Sequence, residues 1–135
     1  MKRGGDMRAI DTNVVVRYLT ADDARQAKRA AAIIDGGPVF IATTVLLETE
    51  WVLRALYQLA PTEIFASLRT LAGQPTVSLE QPSIVSTALS WAERGVDFAD
   101  ALHLAASDQC AAFVSFDKSL VKTAKTVTGI VVQEP

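Results

Sequence analysis

Four carboxylates carry the chemical interest of this sequence: Asp11, Glu48, Asp100 and Asp117. Each lies inside an apolar run or at its edge. Asp11 follows Met7-Arg8-Ala9-Ile10, and Glu48 separates Val45-Leu46-Leu47 from Trp51-Val52-Leu53. Asp100 opens Ala-Leu-His-Leu-Ala-Ala, and Asp117 follows Ala-Phe-Val-Ser-Phe. Ionised carboxylates seldom sit in apolar surroundings without a partner. Four drawn to one place repel one another unless a cation joins them. An all-oxygen, acidic donor set suits Mg²⁺ or Mn²⁺, so a divalent metal site is the first hypothesis.

Each acid also has a local, non-functional explanation. Asp11 precedes Thr12-Asn13 and Asp117 precedes Lys118, so both read equally well as helix caps. Asp100 falls in the first turn of a helix, where a carboxylate gains from the dipole and free N–H groups. Asp97 is the expected N-cap of that same helix. Glu48 has an internal control in Glu50. At 3.6 residues per turn, Val45, Val52 and Leu56 form an apolar stripe with Glu48 at its edge. Glu50 lies four residues before Arg54, the favourable order for an exposed ion pair, and is expected to be solvated.

Other chemistries have less support. His103 is the only histidine, lies mid-helix, and no Gly-x-Ser-x-Gly elbow is present. There is no Cys/His cluster for zinc, and no glycine-rich dinucleotide or P-loop fingerprint. Cys110 is the sole cysteine, expected to be an inert small residue near the core. Two basic groups, Lys118/Lys122/Lys125 and Arg25/Lys28/Arg29, read either as solvated faces or as phosphate guides.

The elements that must position these residues alternate between short apolar runs and helical stretches. Strands are predicted at Met7–Asp11, Val39–Ala42, Thr76–Leu79, Phe113–Phe116 and Ile130–Val132. Helices are predicted over 13–19, 22–35, 61–72, 98–109 and 118–125. A further helix, capped by Thr43 or Thr44, carries Glu48; another opens at Pro82 or Ser83 and runs to Arg94. This order implies an α/β fold with a mostly parallel sheet flanked by helices. In such sheets ligands bind beyond the carboxyl ends of the strands, where Asp11 and Asp117 both fall.

At 135 residues, half of them hydrophobic and 21% charged, the chain reads as one globular domain. The formal charge of −2 argues that any nucleic-acid contact is local. No stretch reaches a membrane span or a secretion signal, so the expected location is cytoplasmic. Residues 1–6 read as an N-terminal extension or cloning remnant, and 7–135 as the domain.

Four segments then match a family in order: Ala9–Leu19 around Asp11-Thr12-Asn13, Leu46–Leu53 around Glu48, Asp97–Ala105 around Asp100, and Phe113–Leu120 around Asp117. The chain resembles the PIN-domain nucleases, and among them the toxin subunits of VapBC-type toxin–antitoxin pairs. The resemblance implies a single PIN-like domain and a metal-dependent endoribonuclease that uses Mg²⁺, with Mn²⁺ as an alternative. Asp11, Glu48, Asp100 and Asp117 match the acidic quartet. Asn13 matches a supporting polar position near the metal. Ser115 stands where Thr is frequent, and Asp97 is either a cap or an outer ligand. The implied partners are an RNA substrate, a cognate antitoxin, and a second copy in a homodimer or a hetero-oligomer with antitoxin. Two readings compete. A phosphatase using Asp11 as nucleophile is disfavoured by Asn13, where Asp-x-Asp would be needed. A catalytically silent binding module would instead hold a partner's basic segment in its acidic cleft.

Overall fold

A computed structural model describes residues 5–135. The expectation for residues 1–4 as part of an extension lies outside the described residues. Seven helices and five short strands are present among those described. They divide between a first unit that runs to Pro82 and a second from Ser83 to Pro135.

In the first unit, β1 (Arg8–Ala9), β2 (Val39–Ile41) and β3 (Val77–Leu79) form a parallel sheet in the order β1-β2-β3. The central strand contributes Val39 and Ile41, both fully buried. The crossovers are helical, as parallel pairing requires: α1 (Thr12–Thr20) and α2 (Ala24–Gly36), then α3 (Thr43–Ala55) and α4 (Pro61–Ala72). Pro61 opens α4 where its missing N–H costs nothing. The entry to β2 is tight: a Cβ on Gly37 would stand 2.6 Å from Thr76 Cβ. Only glycine lets that turn approach β3, and Val39 N then bonds to Thr76 O at 2.8 Å.

Two local expectations are corrected here. Neither Thr43 nor Thr44 caps α3: Ala42 is the cap residue and makes no side-chain bond. The free Thr43 N–H is satisfied by Glu80 Oε1 at 3.0 Å, from the chain just after β3. Helix α3 also turns a different face to the core. Leu46, Thr49, Glu50 and Leu53 are buried, whereas Leu56 is exposed. That face lies one residue, about 100°, round from the Val45/Val52/Leu56 stripe.

In the second unit, α5 (Pro82–Glu93), α6 (Phe98–Ala106) and α7 (Lys118–Val127) accompany β4 (Phe113–Val114) and β5 (Val132–Gln133). The β4–β5 pair is parallel, with Phe113 opposite Val132. Leu104, Leu120 and Ala124 form its buried cluster, against which Trp91, Phe113, Ile130 and Val132 pack. The predicted helix over 98–109 stops at Ala106, and Ser107 turns back through its Oγ to His103 O. Cys110 is exposed in that turn, not near the core as expected. Among the described residues every ladder is parallel, in keeping with the mostly parallel sheet expected, but the strands are shared between a three-stranded and a two-stranded sheet. Among the described residues, no helix is long and apolar enough to cross a membrane.

Candidate active site

In the first unit, Asp11 stands where the β1 segment passes into α1. Its backbone is extended, and Oδ1 accepts the Val14 N–H at 3.1 Å. Asp11 is therefore a cap, and that bond engages one carboxylate oxygen. Thr12, the next residue, donates its hydroxyl to Glu48 Oε1, tying the start of α1 to the middle of α3. Asp11, Thr12, Asn13 and Glu48 line one cleft of ≈ 440 Å³ with Val52 and Leu56. Val52 and Leu56, from the stripe that looked like core, thus wall this cleft, and Glu48 is exposed within it.

Glu50 reverses its expectation. It pairs with Arg54 as predicted, Nε to Oε2 at 2.8 Å, but it is only 4% exposed rather than solvated. Its buried carboxylate is held by a half-exposed guanidinium, so it serves the fold.

Arg17 and Tyr57 share the cleft wall, and neither stands out in the sequence. Arg17 Nη1 bonds Asp22 Oδ1 at 2.9 Å and Tyr57 Oη at 3.0 Å, and its Nε bonds Gln26 at 2.6 Å. Tyr57 Oη in turn donates to Asp22 Oδ2 at 2.7 Å. The Tyr57 hydrogen bond, with help from Thr20 and Arg17, holds the Asp22 carboxyl below the ordinary carboxylate range. This network joins α1, the start of α2 and the chain after α3. Its only local signal is a polar i, i+5 pair, Arg17 and Asp22. Arg29 of the second basic group lines an adjoining cleft with Asn13, Arg17 and Gln26.

In the second unit, Asp97 caps α6, its Oδ2 accepting the Asp100 N–H at 3.1 Å. Asp117 caps α7, its Oδ1 accepting the Leu120 N–H at 3.0 Å. Ser115 positions Asp117: its Oγ accepts the Asp117 N–H at 3.0 Å. Asp97, Asp100 and Asp117 line one cleft of ≈ 220 Å³ with Ser119 and Thr123. Burial raises the Asp100 carboxyl above its ordinary value, and the charges of Asp97 and Asp117 raise it further, with His103 opposing them. His103 itself is exposed and stacks on Phe113, ring centroids 6.4 Å apart. The polar stripe Asp100/His103/Ser107 thus faces away from the buried Phe98, Leu102 and Ala105.

The structure brings Asp11, Asn13 and Glu48 to one cleft and Asp97, Asp100 and Asp117 to another. Among the described residues, no three Asp, Glu, His or Cys side chains are grouped closely enough to hold one ion between them. The donors still suit Mg²⁺, which keeps most of its waters and takes one or two protein carboxylates rather than a closed protein cage. Asp100, crowded by two like charges, is the group whose ionised form a cation would most favour.

No curated protein matches the chain. Among solved structures, VapC20 of Mycobacterium tuberculosis, a toxin that cleaves the Sarcin-Ricin loop, aligns at 23% identity and a TM-score of 0.39. The alignment covers 93% of this chain and 96% of that one. The PIN domain matches residues 9–126, a span that contains all four acids singled out from the sequence, and the chain belongs to the PIN-domain family.

Proposed function

We propose that this protein is a Mg²⁺-dependent endoribonuclease and the toxin of a type II toxin–antitoxin pair. The observation that carries the reading is the PIN-domain match over residues 9–126, which spans four acids that each line an acidic cleft. Bound Mg²⁺ supplies two things a phosphodiester cleavage needs, a water acidic enough to attack and neutralisation of the charge that builds on phosphate.

The chain's own residues do the rest. Asp11 would offer carboxylate oxygens to a metal in the first cleft, and Asp100 and Asp117 in the second. Asp11 and Asp117 are each pinned at Oδ1 by a cap bond, which fixes the plane of the carboxylate. Glu48, steered by the Thr12 hydroxyl, would hold a second ion or orient the attacking water. Asn13 supports the same cleft, Ser115 holds Asp117 in place, and Asp97 acts from behind Asp100. The substrate is RNA, and the partner is an antitoxin whose segment blocks the acidic cleft. The toxin acts in the cytoplasm as a homodimer, or as a hetero-oligomer while bound to antitoxin.

The test is cleavage of purified RNA with Mg²⁺, with the product ends sequenced. Asp11→Asn and Asp100→Asn proteins are expected to be inactive, and EDTA to silence the wild type. Either variant cutting at the wild-type rate would sink the proposal. Tight binding of a basic partner with no metal uptake and no cleavage would favour the silent module instead.

A further inference from the structure

Phe116 is the most open large apolar side chain among the described residues, 84% exposed. Its backbone is nonetheless held on both sides. Ser115 N bonds Gln133 O at 3.0 Å, Asp117 N bonds Ser115 Oγ at 3.0 Å, and Asp117 caps α7. A phenylalanine ring left in water forgoes the burial that stabilises a fold, so its presence here is not explained by packing. A ring carried on a fixed turn has little freedom left to lose when something stacks on it.

The residues just after Phe116 indicate the chemistry of a stacking partner. Asp117 comes next, then the exposed Lys118, Lys122 and Lys125 of α7. At i, i+4 and i+7 these lysines share one side of the helix and span about 10 Å. An aromatic ring beside a cationic row is the arrangement that holds single-stranded nucleic acid: bases stack on the ring and phosphates follow the charges. A base inside a duplex cannot offer its face in this way, whereas a splayed loop or single strand can.

We infer that Phe116 is a stacking platform for an unpaired base of the RNA, next to the bond that is cut, with Lys118, Lys122 and Lys125 guiding the adjoining phosphates. The inference rests on the nuclease reading and deepens it: Phe116 positions one unpaired base of the substrate. Val114 and Val131 are also exposed, at 54% and 58%. A protein partner seated on all three side chains is the competing use, and the experiment separates the two.

The probe is a short unpaired RNA oligonucleotide carrying 2-aminopurine beside its mapped cleavage site. Binding is followed in EDTA by quenching of that base, and cleavage with Mg²⁺ by KM and kcat. Phe116→Ala is expected to raise KM about 5- to 150-fold, the range for loss of one stacked base, to leave kcat within a few fold, and to abolish the quench. Phe116→Trp, which keeps a π face, is expected to stay near wild type in all three. An abasic site in place of the 2-aminopurine should make the alanine variant and wild type equal. If wild type cleaves and Phe116→Ala has unchanged KM and quench, the stacking role is overturned while the nuclease reading stands. The same unchanged kinetics, with a loss of dimer on sedimentation, would overturn it in favour of a protein contact. If wild type cuts the parent RNA but neither binds nor cuts the oligonucleotide, the stacking inference falls and the nuclease reading stands; if it cuts neither, both fall.

Discussion

The hydroxyl of Thr12 donates to Oε1 of Glu48, linking residues 36 apart in sequence. Thr12 directly follows Asp11, so one dipeptide supplies a carboxylate to the cleft and orients another. Groups that orient a metal ligand without touching the metal are worth about 10–100-fold in affinity or activity. Thr12→Val keeps the shape and removes the donor. It is expected to lower Mg²⁺-dependent cleavage by about that factor, and Thr12→Ser to restore it. The check is a Mg²⁺ titration of cleavage rate on all three proteins.

Glu48 and Glu50 make a second, paired prediction. Glu48 is exposed in the cleft, while Glu50 is buried against Arg54. Glu48→Gln is expected to abolish cleavage and to change stability by no more than about 0.5 kcal/mol, as an exposed substitution does. Glu50→Gln weakens a buried, charge-assisted pair and is expected to cost about 1–3 kcal/mol, with the folded fraction still cutting RNA. Urea unfolding and a rate per folded molecule distinguish the two. A stable but inactive Glu50→Gln protein would reverse their assignment.

The contrast between these two glutamates also shows what the sequence makes legible. Hydrophobicity selects Val45, Val52 and Leu56 as the inner face of α3 because all three are apolar. The face that is buried has two polar members. Thr49 satisfies its hydroxyl on Val45 O at 2.7 Å, and Glu50 is neutralised four residues on, so both can be buried. Nothing in the pattern reports that compensation. Local features read well: Pro61 opens α4, and Asp11, Asp97 and Asp117 are caps, because each is decided within a few residues. Features set by distant chain do not. Glu80 caps α3 from 37 residues away, and the division of parallel strands between two sheets depends on pairing that no single segment encodes.

Asp117 carries a cap and a proposed metal ligand on one side chain, and the two roles separate by substitution. Asparagine caps a helix about as well as aspartate, whereas alanine loses about 0.5–2 kcal/mol. Asp117→Asn is therefore expected to unfold at nearly the wild-type urea concentration, and Asp117→Ala measurably lower. Both are expected to lose cleavage, because neither offers a negative oxygen. Ser115→Ala should fall between, keeping the carboxylate but freeing the Asp117 N–H that Ser115 accepts. A fully active Asp117→Asn protein would leave the residue as a cap alone.

The raised Asp100 carboxyl fixes the sign of a pH effect on stability. Burial, then Asp97 and Asp117, make the folded protein hold that proton more tightly than the unfolded chain does. The protonated group's contribution is fully present below the ordinary carboxylate value of about 4 and is lost as pH rises through the raised value. At pH 7 in EDTA an ionised Asp100 therefore works against folding. Asp100→Asn, which mimics the neutral form, is expected to raise the unfolding midpoint at pH 7 and to leave it unchanged below about pH 4. Asp97→Asn removes the largest repulsion but not the burial, so it should recover only part of the gain. Added Mg²⁺ should raise the midpoint of wild type more than that of Asp100→Asn, since a cation stabilises an ionised carboxylate and the variant has lost one of them. Thermal unfolding of the three proteins across pH, with and without Mg²⁺, measures each of these. A lower midpoint for Asp100→Asn at pH 7 in EDTA would mean that the Asp100 charge supports the fold rather than strains it.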